Sequence, residues 1–330
     1  MTASDLPAEL KAALDIRLHG LSRNDAAQRA GAISQAYRNG GGSSAIRTEA
    51  DALAYALARM PATYAAITAS LNALCEARID FAPANLLDVG AGTGTATWAA
   101  AQAFASLASF RLIDANAALR GLALDLARGS DRLSPMRYSQ GDAGAELAQA
   151  SPADLVVASY MINEVHETAR AALADLMWAK TRDTLLVVEP GTPAGTQRIL
   201  DLRHRLIAQG AHVAAPCPHD GECPLAATDW CHFTQRLQRS RAHKQLKAAE
   251  LPYEDEKFIY VALSRAPPAQ RQARVLTQPK TTKVAITAKL CTREGIRSVA
   301  TPRRNKLVYA RWRKLNWGDA LFDSADTSAE

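Results

Sequence analysis

Long apolar runs are missing from this sequence. None reaches the roughly 18 consecutive apolar residues that a membrane-spanning helix needs, so we expect no transmembrane segment. The N-terminal stretch MTASDLPAELKAALD carries acids and has no apolar core, which is untypical of a secretory or transit peptide. We therefore expect a reducing compartment, in which structural disulfides are rare.

Cysteine is scarce and unevenly distributed, with five residues in a chain of 330. Cys217, Cys223 and Cys231 fall in one stretch, PCPHDGECPLAATDWCHFTQR, and Cys291 lies far downstream in an alternating segment. The prolines and glycine of that stretch break regular structure, and it has little apolar surface with which to order itself. Clustered thiolates on a metal centre would hold such a loop together.

Other interpretations of these cysteines stay open at this point. They could be unrelated buried thiols, as we expect for the lone Cys75, or disulfides in an exported protein. The spacing also differs from the short C-x2-C pair of zinc fingers, so it does not identify a metal. His219 and His232 flank the cysteines and could substitute for one in a zinc site.

Acidic residues are almost absent from the tail. Between Arg265 and Lys314 the only acid is Glu294, in a chain with a net charge of +6 and a pI near 9.1. This asymmetry favours a polyanionic partner over an ordinary solvated face. A basic helix predicted over residues 235–249 would place four side chains on one face: Arg236, Arg239, His243 and Lys247. A second basic helix, predicted over residues 301–316, and the turn before it contribute Arg303, Arg304, Lys306, Arg311, Arg313 and Lys314.

The chain divides into three regions by pattern. Residues 1–80 predict an alanine-rich helical cap, with helix starts at Ser22, at the Thr48/Asp51 capping box and at Pro61. Residues 81–265 alternate between strand and helix, which predicts an α/β fold with a parallel sheet, interrupted by a cysteine-rich insertion at about 211–250. Residues 266–330 predict a basic extension with a β-hairpin, after a linker over residues 265–278. The strands are predicted at residues 86–89, 110–113, 136–138, 155–158, 185–188 and 258–263.

A glycine loop follows the first predicted strand in LLDVGAGTG, residues 86–94. Gly90, Gly92 and Gly94 alternate there, where a helix is predicted to begin. Dinucleotide-binding loops need a glycine at the position that Thr95 occupies. The loop instead resembles motif I of class I S-adenosylmethionine-dependent methyltransferases.

That resemblance implies a cofactor pocket in the α/β sheet. Asp88 would sit near the methionine amino group of S-adenosylmethionine, and the loop glycines would line the cofactor. Asp114 ends the second strand, where an acid accepts hydrogen bonds from ribose hydroxyls. Asp142 follows the third strand, where this class contacts adenine.

Catalytic signatures are lacking after the fourth strand, in SYMINEV. The N/D-P-P-Y element of amino methyltransferases and the cysteine nucleophile of cytosine C5 enzymes are both missing. Asn163 and Glu164 could line the pocket, position a substrate or cap the next helix. No catalytic residue is assigned, and the residues leave methyl transfer open.

The glycine loop and the cysteine motif together resemble one family over residues 45–318. It is the methyltransferase-like family associated with the mitochondrial small ribosomal subunit, which also has bacterial members. EPGT at residues 189–192, PRR at residues 302–304 and WGD at residues 317–319 add to the resemblance. A bacterial member would be cytoplasmic, and a mitochondrial one would work in the matrix if its presequence is missing here.

The resemblance implies a [4Fe–4S] cluster and a role on the small ribosomal subunit, with 16S-type ribosomal RNA as a partner. Its implied ligands are Cys217, Cys223, Cys231 and Cys291. The cluster would be a structural clamp, since the tight three-cysteine loop of radical enzymes is missing. Four thiolates also suit zinc. We expect a monomer, with an active RNA methyltransferase and a zinc-containing small-molecule methyltransferase as alternatives.

Overall fold

The computed structural model describes residues 2–18, 22–226, 228–239, 241–247 and 249–321. Three helices come first: α1 Ala8–Leu18, α2 Arg23–Arg38 and α3 Glu49–Ala77. The predicted caps are confirmed, because the Ser22 side chain accepts a hydrogen bond from the Asp25 amide and Thr48 forms a capping box with Asp51. No helix among the described residues is long and apolar enough to cross a membrane.

Pro61 lies inside α3, so the prediction that it begins a separate helix is wrong. Met60 and Tyr64, on either side of it, are each 1% exposed. Packing on both sides therefore stabilises one continuous helix and outweighs the hydrogen bond that proline cannot donate.

An eight-stranded sheet forms the centre of the molecule. Its strands and their helices follow in chain order: β1 Asn85–Val89, α4 Thr95–Ala103, β2 Ser109–Asp114, α5 Ala117–Ala127, β3 Arg137–Gln140, α6 Ala143–Gln149, β4 Ala153–Ser159, α7 Glu167–Ala179, β5 Thr181–Pro190, α8 Pro193–Ile207, β6 His212–Ala215, β7 Phe233–Gln238, α9 Arg241–Leu246 and β8 Tyr253–Ser264.

The strand order is β3-β2-β1-β4-β5-β8-β6, with β7 also paired to β8. The first five are parallel, and β8 runs antiparallel to β5, β6 and β7. Every predicted strand overlaps an observed one. The α/β fold with a Rossmann-like sheet of the class I methyltransferase type is confirmed.

The predicted basic helix over residues 235–249 is wrong. Residues 233–238 form strand β7, which pairs with β8 and buries Phe233 and Leu237 at 2% and 5% exposure. Only the short α9 is helical. Arg236, Arg239 and Lys247 therefore do not share a helical face.

The tail forms a second sheet of five strands. Its elements are β9 Ala273–Val275, β10 Lys280–Thr281, β11 Ala285–Thr292, β12 Gly295–Pro302, α10 Lys306–Trp312 and β13 Ala320–Leu321. The predicted hairpin is confirmed as β11 and β12. The linker prediction is wrong at β9, which pairs with β11 and β13. The predicted helix over residues 301–316 is shorter, because β12 extends to Pro302.

Two main hydrophobic cores result from this arrangement, beside a small cluster of Ala30, Ala54 and Ala58 between α2 and α3. The larger one is continuous from the N-terminal helices through the eight-stranded sheet. The smaller one lies within the tail, where Trp312 is 1% exposed and packs among Val275, Ile286 and Leu290. Trp312 therefore contributes to the packing of the tail.

Candidate functional site

The glycine loop connects β1 to α4 at the carboxyl edge of the sheet. Gly90, Gly92 and Gly94 have φ angles of +68°, +53° and +76°, in the left-handed region that favours glycine. A Cβ on Gly90 would lie 2.6 Å from the Cβ of Met161, so this glycine also permits a close approach of two segments. At Gly92 the nearest atom, Cδ1 of Leu119, would be 3.8 Å away, so the space beside it is open.

Asp114 fixes the loop from the end of β2. One of its carboxylate oxygens accepts a hydrogen bond from the Gly92 amide at 2.9 Å, and the other accepts one from the Asn116 amide at 2.7 Å. Burial raises the pKa of Asp114. The Tyr138 hydroxyl donates to the Gly92 carbonyl at 2.7 Å, so β3 also holds the loop.

A pocket of about 200 Å³ opens beside this loop. Four of the predicted site residues line it: Gly90, Gly92, Asp114 and Asp142. The side chain of Asp142 also caps α6 by accepting a hydrogen bond from the Ala145 amide. Asp88, Gly94 and Asn163 do not line the pocket, although Gly94 caps α4 at its rim. The side-chain oxygen of Asn163 is buried without a hydrogen-bond partner among the described residues.

Asp88 lies beneath the loop, with 0% exposure. Its Oδ2 accepts hydrogen bonds from the amide and the hydroxyl of Thr97, at 3.1 and 2.8 Å. Its Oδ1 has no partner among the described residues. Burial raises the pKa of Asp88 to about 7. The carboxyl group therefore anchors α4 to β1 and carries an unsatisfied oxygen close to the loop.

The N-terminal region supplies pocket residues that the sequence did not reveal. Tyr37, Ser43 and Tyr55 line the pocket. The amide and the hydroxyl of Ser43 both donate to Glu164 Oε2 at 2.8 Å, so the segment after α2 closes over the pocket. The glycine-rich joint at residues 40–42 is the only sequence signal for this segment, and it gives no information about where the segment docks.

Tyr160 is a second residue that was not predicted. It follows β4, lines the pocket and has a φ angle of +56°, which is uncommon for a residue other than glycine. Its hydroxyl donates to Glu256 Oε1 at 3.0 Å, and Arg59 makes an ion pair with the same oxygen at 3.0 Å. Burial and the Glu256 carboxylate raise the pKa of Tyr160, so the phenol is a hydrogen-bond donor there and not a base.

The four cysteines of the predicted metal set line one cavity, about 30 Å³ in volume. Cys217, Cys223 and Cys231 come from the segment between β6 and β7, and Cys291 comes from β11 of the tail sheet. All four are free thiols. The structure thus brings together residues that are up to 74 positions apart in the chain (217 to 291).

Burial raises the pKa of three of these thiols, and the neighbouring cysteines add to the rise. The shift is large at Cys231, takes Cys291 to about 12 and is opposed at Cys217 by the Arg203 guanidinium. The sulfur of Cys291 lies 4.0 Å from Nε2 of His219. Without a bound cation, thiols with such pKa values are neutral near pH 7.

Two buried arginines line the same cavity. Arg203 and Arg274 are 4% and 3% exposed. Their guanidinium groups donate to backbone carbonyls, Arg203 to His219 and Gly221 and Arg274 to Pro216 and Gly318. No carboxylate among the described residues lies within ion-pair distance of either one. Buried positive charge of this kind calls for an anionic partner inside the cavity.

The thiols do not converge on a single point. Among the residues that the structure describes, no three side chains of His, Cys, Asp or Glu are close enough to hold one metal ion. In a [4Fe–4S] cluster each cysteine binds a different iron atom, so its ligands are spread around the cluster. The donor set fits such a group in its chemistry and in the positive charge that faces it.

The predicted basic residues fall into two sets. Arg236 pairs with Asp255 at 2.7 Å, and Arg239 and Lys247 pair with Glu254 at 3.3 and 2.5 Å. By contrast, five of the predicted tail cations are exposed and have no acid within ion-pair distance among residues 2–321 that are described: Arg303, Arg304, Lys306, Arg313 and Lys314. Arg311 is exposed on α10 between them.

Comparison with known proteins gives a family. The model of the family "Mitochondrial small ribosomal subunit Rsm22" matches residues 49–322. The human "Ribosome assembly protein METTL17, mitochondrial" is 32% identical over 295 residues, which cover 83% of this chain and 63% of that protein. "Rsm22-cox11 tandem protein 2, mitochondrial" of Schizosaccharomyces pombe is 23% identical, over 82% of this chain and 43% of its own length. The chain thus spans between 43% and 63% of the length of these relatives.

Similar solved structures include methyltransferases. Magnesium protoporphyrin IX methyltransferase (ChlM) of Synechocystis PCC 6803 is 14% identical, with a TM-score of 0.41 over 70% of this chain and 90% of that one. A ribosomal protein L11 methylase of Lactobacillus delbrueckii subsp. bulgaricus is 12% identical, with a TM-score of 0.37 over 60% of this chain and 77% of that one. Since the family model matches 274 of the 330 residues (322 − 49 + 1), the chain belongs to the Rsm22 family.

Proposed function

We propose that the chain is a methyltransferase-like factor that binds the small ribosomal subunit through its ribosomal RNA and supports its assembly or translation. Membership of the Rsm22 family and the likeness to a ribosome assembly protein support this function. The observation that carries it is the cavity where four cysteines join the tail sheet to the central sheet. That junction sets the orientation of the exposed tail cations, which suit a phosphate backbone.

A structural [4Fe–4S] cluster is the proposed occupant of the cavity. Cys217, Cys223, Cys231 and Cys291 would hold it, and Arg203 and Arg274 would offset the negative charge of a thiolate-ligated cluster. The cluster would supply folding free energy, and its four ligands would leave no iron open to bind S-adenosylmethionine or a substrate. Zinc with the same ligands is the alternative, but it requires the four sulfurs to converge on one atom.

S-adenosylmethionine is the proposed ligand of the pocket beside the glycine loop. It would bring an activated methyl group, and the chain's own residues bind and enclose it. Gly92, Asp114 and Asp142 line the pocket; Gly92 would leave room for the ligand, Asp114 at the end of β2 would bind the ribose, and Asp142 after β3 would contact the base. The Ser43–Glu164 contact closes the pocket from the N-terminal side.

Binding to isolated small ribosomal subunits tests this function. Protein purified without oxygen should sediment with small subunits at moderate salt, and its affinity should fall steeply as the salt concentration rises. A variant with Arg303, Arg304 and Arg313 all changed to Gln should lose most of this affinity while keeping its unfolding midpoint. Equal sedimentation of the variant and the parent protein would refute the proposed role of the tail.

Methylation of the ribosomal RNA is the second candidate function, favoured by the pocket alone. It predicts that Gly92→Ala removes one specific methyl mark from the RNA of the small subunit in cells. An unchanged methylation map would leave the binding function as the better account.

A further inference from the structure

Trp230 is an exposed aromatic side chain that is held in a fixed orientation. It is 37% exposed, whereas Trp98, Trp178 and Trp312 are 2%, 3% and 1% exposed. Its indole Nε1 donates to the carbonyl of Gly191 at 3.2 Å. The polar atom of the ring is therefore used inside the protein, and the remaining exposed surface of the ring is apolar and aromatic.

Two further rings support Trp230 from behind. His232 stacks on it, with ring centroids 5.5 Å apart and an interplanar angle of 21°. Trp317 of the tail in turn contacts His232 edge to face, at 4.7 Å. An immobilised aromatic surface loses little conformational entropy when a partner binds to it.

The position of the ring in the fold favours a ligand. Gly191 directly follows β5, as Gly90 follows β1 and Tyr160 follows β4. All three therefore lie at the carboxyl edge of the parallel strands, where α/β sheets bind ligands. The same contact joins the two sequence motifs EPGT and DWCHFTQR, since Trp230 of the second donates to Gly191 of the first.

Positive charge lies beside the ring. Lys257 on β8 is exposed, and its carbonyl accepts a hydrogen bond from the Gly191 amide at 2.9 Å. No acid within the described ranges is at ion-pair distance from the Lys257 ammonium group. Lys289 of the tail sheet makes an ion pair with Asp229, the residue before Trp230, at 2.6 Å, so this pair adds no net charge and Lys257 is the cation left beside the ring. A polyanion with flat aromatic faces, which is single-stranded RNA, matches this combination of ring and charge.

We propose that Trp230 is a stacking platform for an unpaired base of single-stranded RNA, with Lys257 placed for an adjacent phosphate. The inference rests on the proposed function, because the RNA would be that of the small subunit. It goes further in separating base recognition at Trp230 from phosphate binding at the tail.

The test compares two labelled RNA-type oligonucleotides of equal length and phosphate count, one with bases and one abasic. Binding of the full chain, purified without oxygen, is followed by fluorescence anisotropy. Trp230→Ala should weaken binding of the base-containing oligonucleotide about tenfold, since one stacked base contributes about 1–3 kcal/mol. It should leave binding of the abasic one unchanged, and Trp230→Phe should recover most of the loss.

Matched controls separate stacking from folding. Leu251→Ala removes another exposed apolar side chain, 55% exposed, and should change neither affinity. Iron content and unfolding midpoints of the Trp230 variants should equal those of the parent protein, because Cys231 is next in the chain. In the unaltered protein, ultraviolet crosslinking of the base-containing oligonucleotide should map to Trp230.

The outcomes distinguish this inference from the proposed function. If the parent protein binds both oligonucleotides equally and Trp230→Ala changes neither, the platform is refuted while phosphate binding at the tail stands. If the parent protein binds neither, the platform and the RNA-binding function both fail. If Trp230→Ala weakens binding to small subunits but not to either oligonucleotide, the platform holds a ribosomal protein, and the RNA proposal is wrong.

Discussion

The Asp88 carboxyl group is buried at a position where its charge is poorly compensated. Thr97 satisfies one oxygen, and the other has no partner among the described residues. Burial therefore favours the neutral form and raises the pKa of Asp88 to about 7 from the ordinary 3.8. In the protein without ligand, the buried charge of the Asp88 carboxylate therefore destabilises the folded state at neutral and alkaline pH.

This pKa predicts how stability depends on pH. The folded state holds the Asp88 proton more tightly than the unfolded chain, so the stabilisation is complete below about pH 4 and is lost as the pH rises through about 7. The loss is on the order of 4 kcal/mol. Asp88→Asn should be more stable than the parent protein at pH 8 and similar to it at pH 4, by urea unfolding without ligand. A parent protein whose stability rises between these pH values relative to the variant would contradict the prediction.

The two glycines at the pocket give a second prediction, as a matched pair. Gly92→Ala should cost roughly 1–2 kcal/mol of stability because of its positive φ angle, and its Cβ would enter the open space of the pocket. Gly90→Ala carries the same strain and also meets Met161, so it should cost about 1–3 kcal/mol more. Urea unfolding measures both costs.

Calorimetric titration with S-adenosylmethionine measures how the same change at Gly92 affects ligand binding. Gly92→Ala should weaken binding at least about tenfold, which corresponds to about 1.4 kcal/mol. Unchanged affinity in Gly92→Ala would show that the ligand does not occupy the space beside this glycine.

Strand β7 illustrates how far local pattern determines an element. Basic residues in and after it, at positions 236, 239, 243 and 247, have helical spacing, but residues 233–238 form a strand in which Phe233 and Leu237 are buried. Pairing with β8 then places Arg236 opposite Asp255 and Leu237 opposite Glu254. Pairing with β8, which carries the acids Glu254 and Asp255, therefore favours a strand over a helix here. Local periodicity could not reveal this, because β8 follows later in the chain.

Ion pairing at this strand predicts which cations contact RNA. The double change Arg236→Gln with Asp255→Asn removes a pair without changing the net charge, and it should alter affinity for small subunits less than about twofold. Arg304→Gln removes an exposed cation without a partner among the described residues. It should lower the slope of log affinity against log salt concentration by about one, as the loss of one phosphate contact requires. The affinity of each variant for small subunits is measured from low to high salt. An equal effect of the double change and of Arg304→Gln would contradict the prediction that unpaired cations, and not paired ones, contact RNA.

The glycine loop and the central sheet were predictable because their signals are local. An acid, three alternating glycines and a helix start lie within ten residues, and the apolar strands on either side are short and regular. Tyr160, Ser43 and Arg203 were not predictable, because their roles depend on partners far away in the chain. In the sequence, Arg203 is an ordinary basic residue of α8, and only its contacts with the cysteine segment in the folded chain reveal its role.

At the scale of the whole molecule, the cysteine cavity connects two hydrophobic cores. The main core ends near Phe233 and Tyr260, and the tail core begins near Val275 and Leu290. Cys291 reaches from the tail to the cysteine segment, and Arg271 holds Asp220 of the same segment at 2.5 Å. The orientation of the basic tail therefore depends in part on this junction, together with contacts such as the Lys289–Asp229 ion pair and the Trp317–His232 ring contact.

Loss of one ligand should release the tail. In Cys291→Ser, trypsin should cleave after Arg271 at least about tenfold faster, because Arg271 loses its place against the cysteine segment. Cys75→Ser changes a half-buried cysteine of α3 outside the cavity and should leave the rate unchanged. Equal cleavage of both variants would mean that the tail is held without the centre.

The identity of the centre is tested most directly by metal and sulfide analysis of protein purified without oxygen. We predict a brown protein with about four iron and four sulfide per chain, and loss of both in Cys217→Ser. A colourless protein that contains stoichiometric zinc and no sulfide, or a Cys217→Ser variant that keeps its iron, would contradict this account.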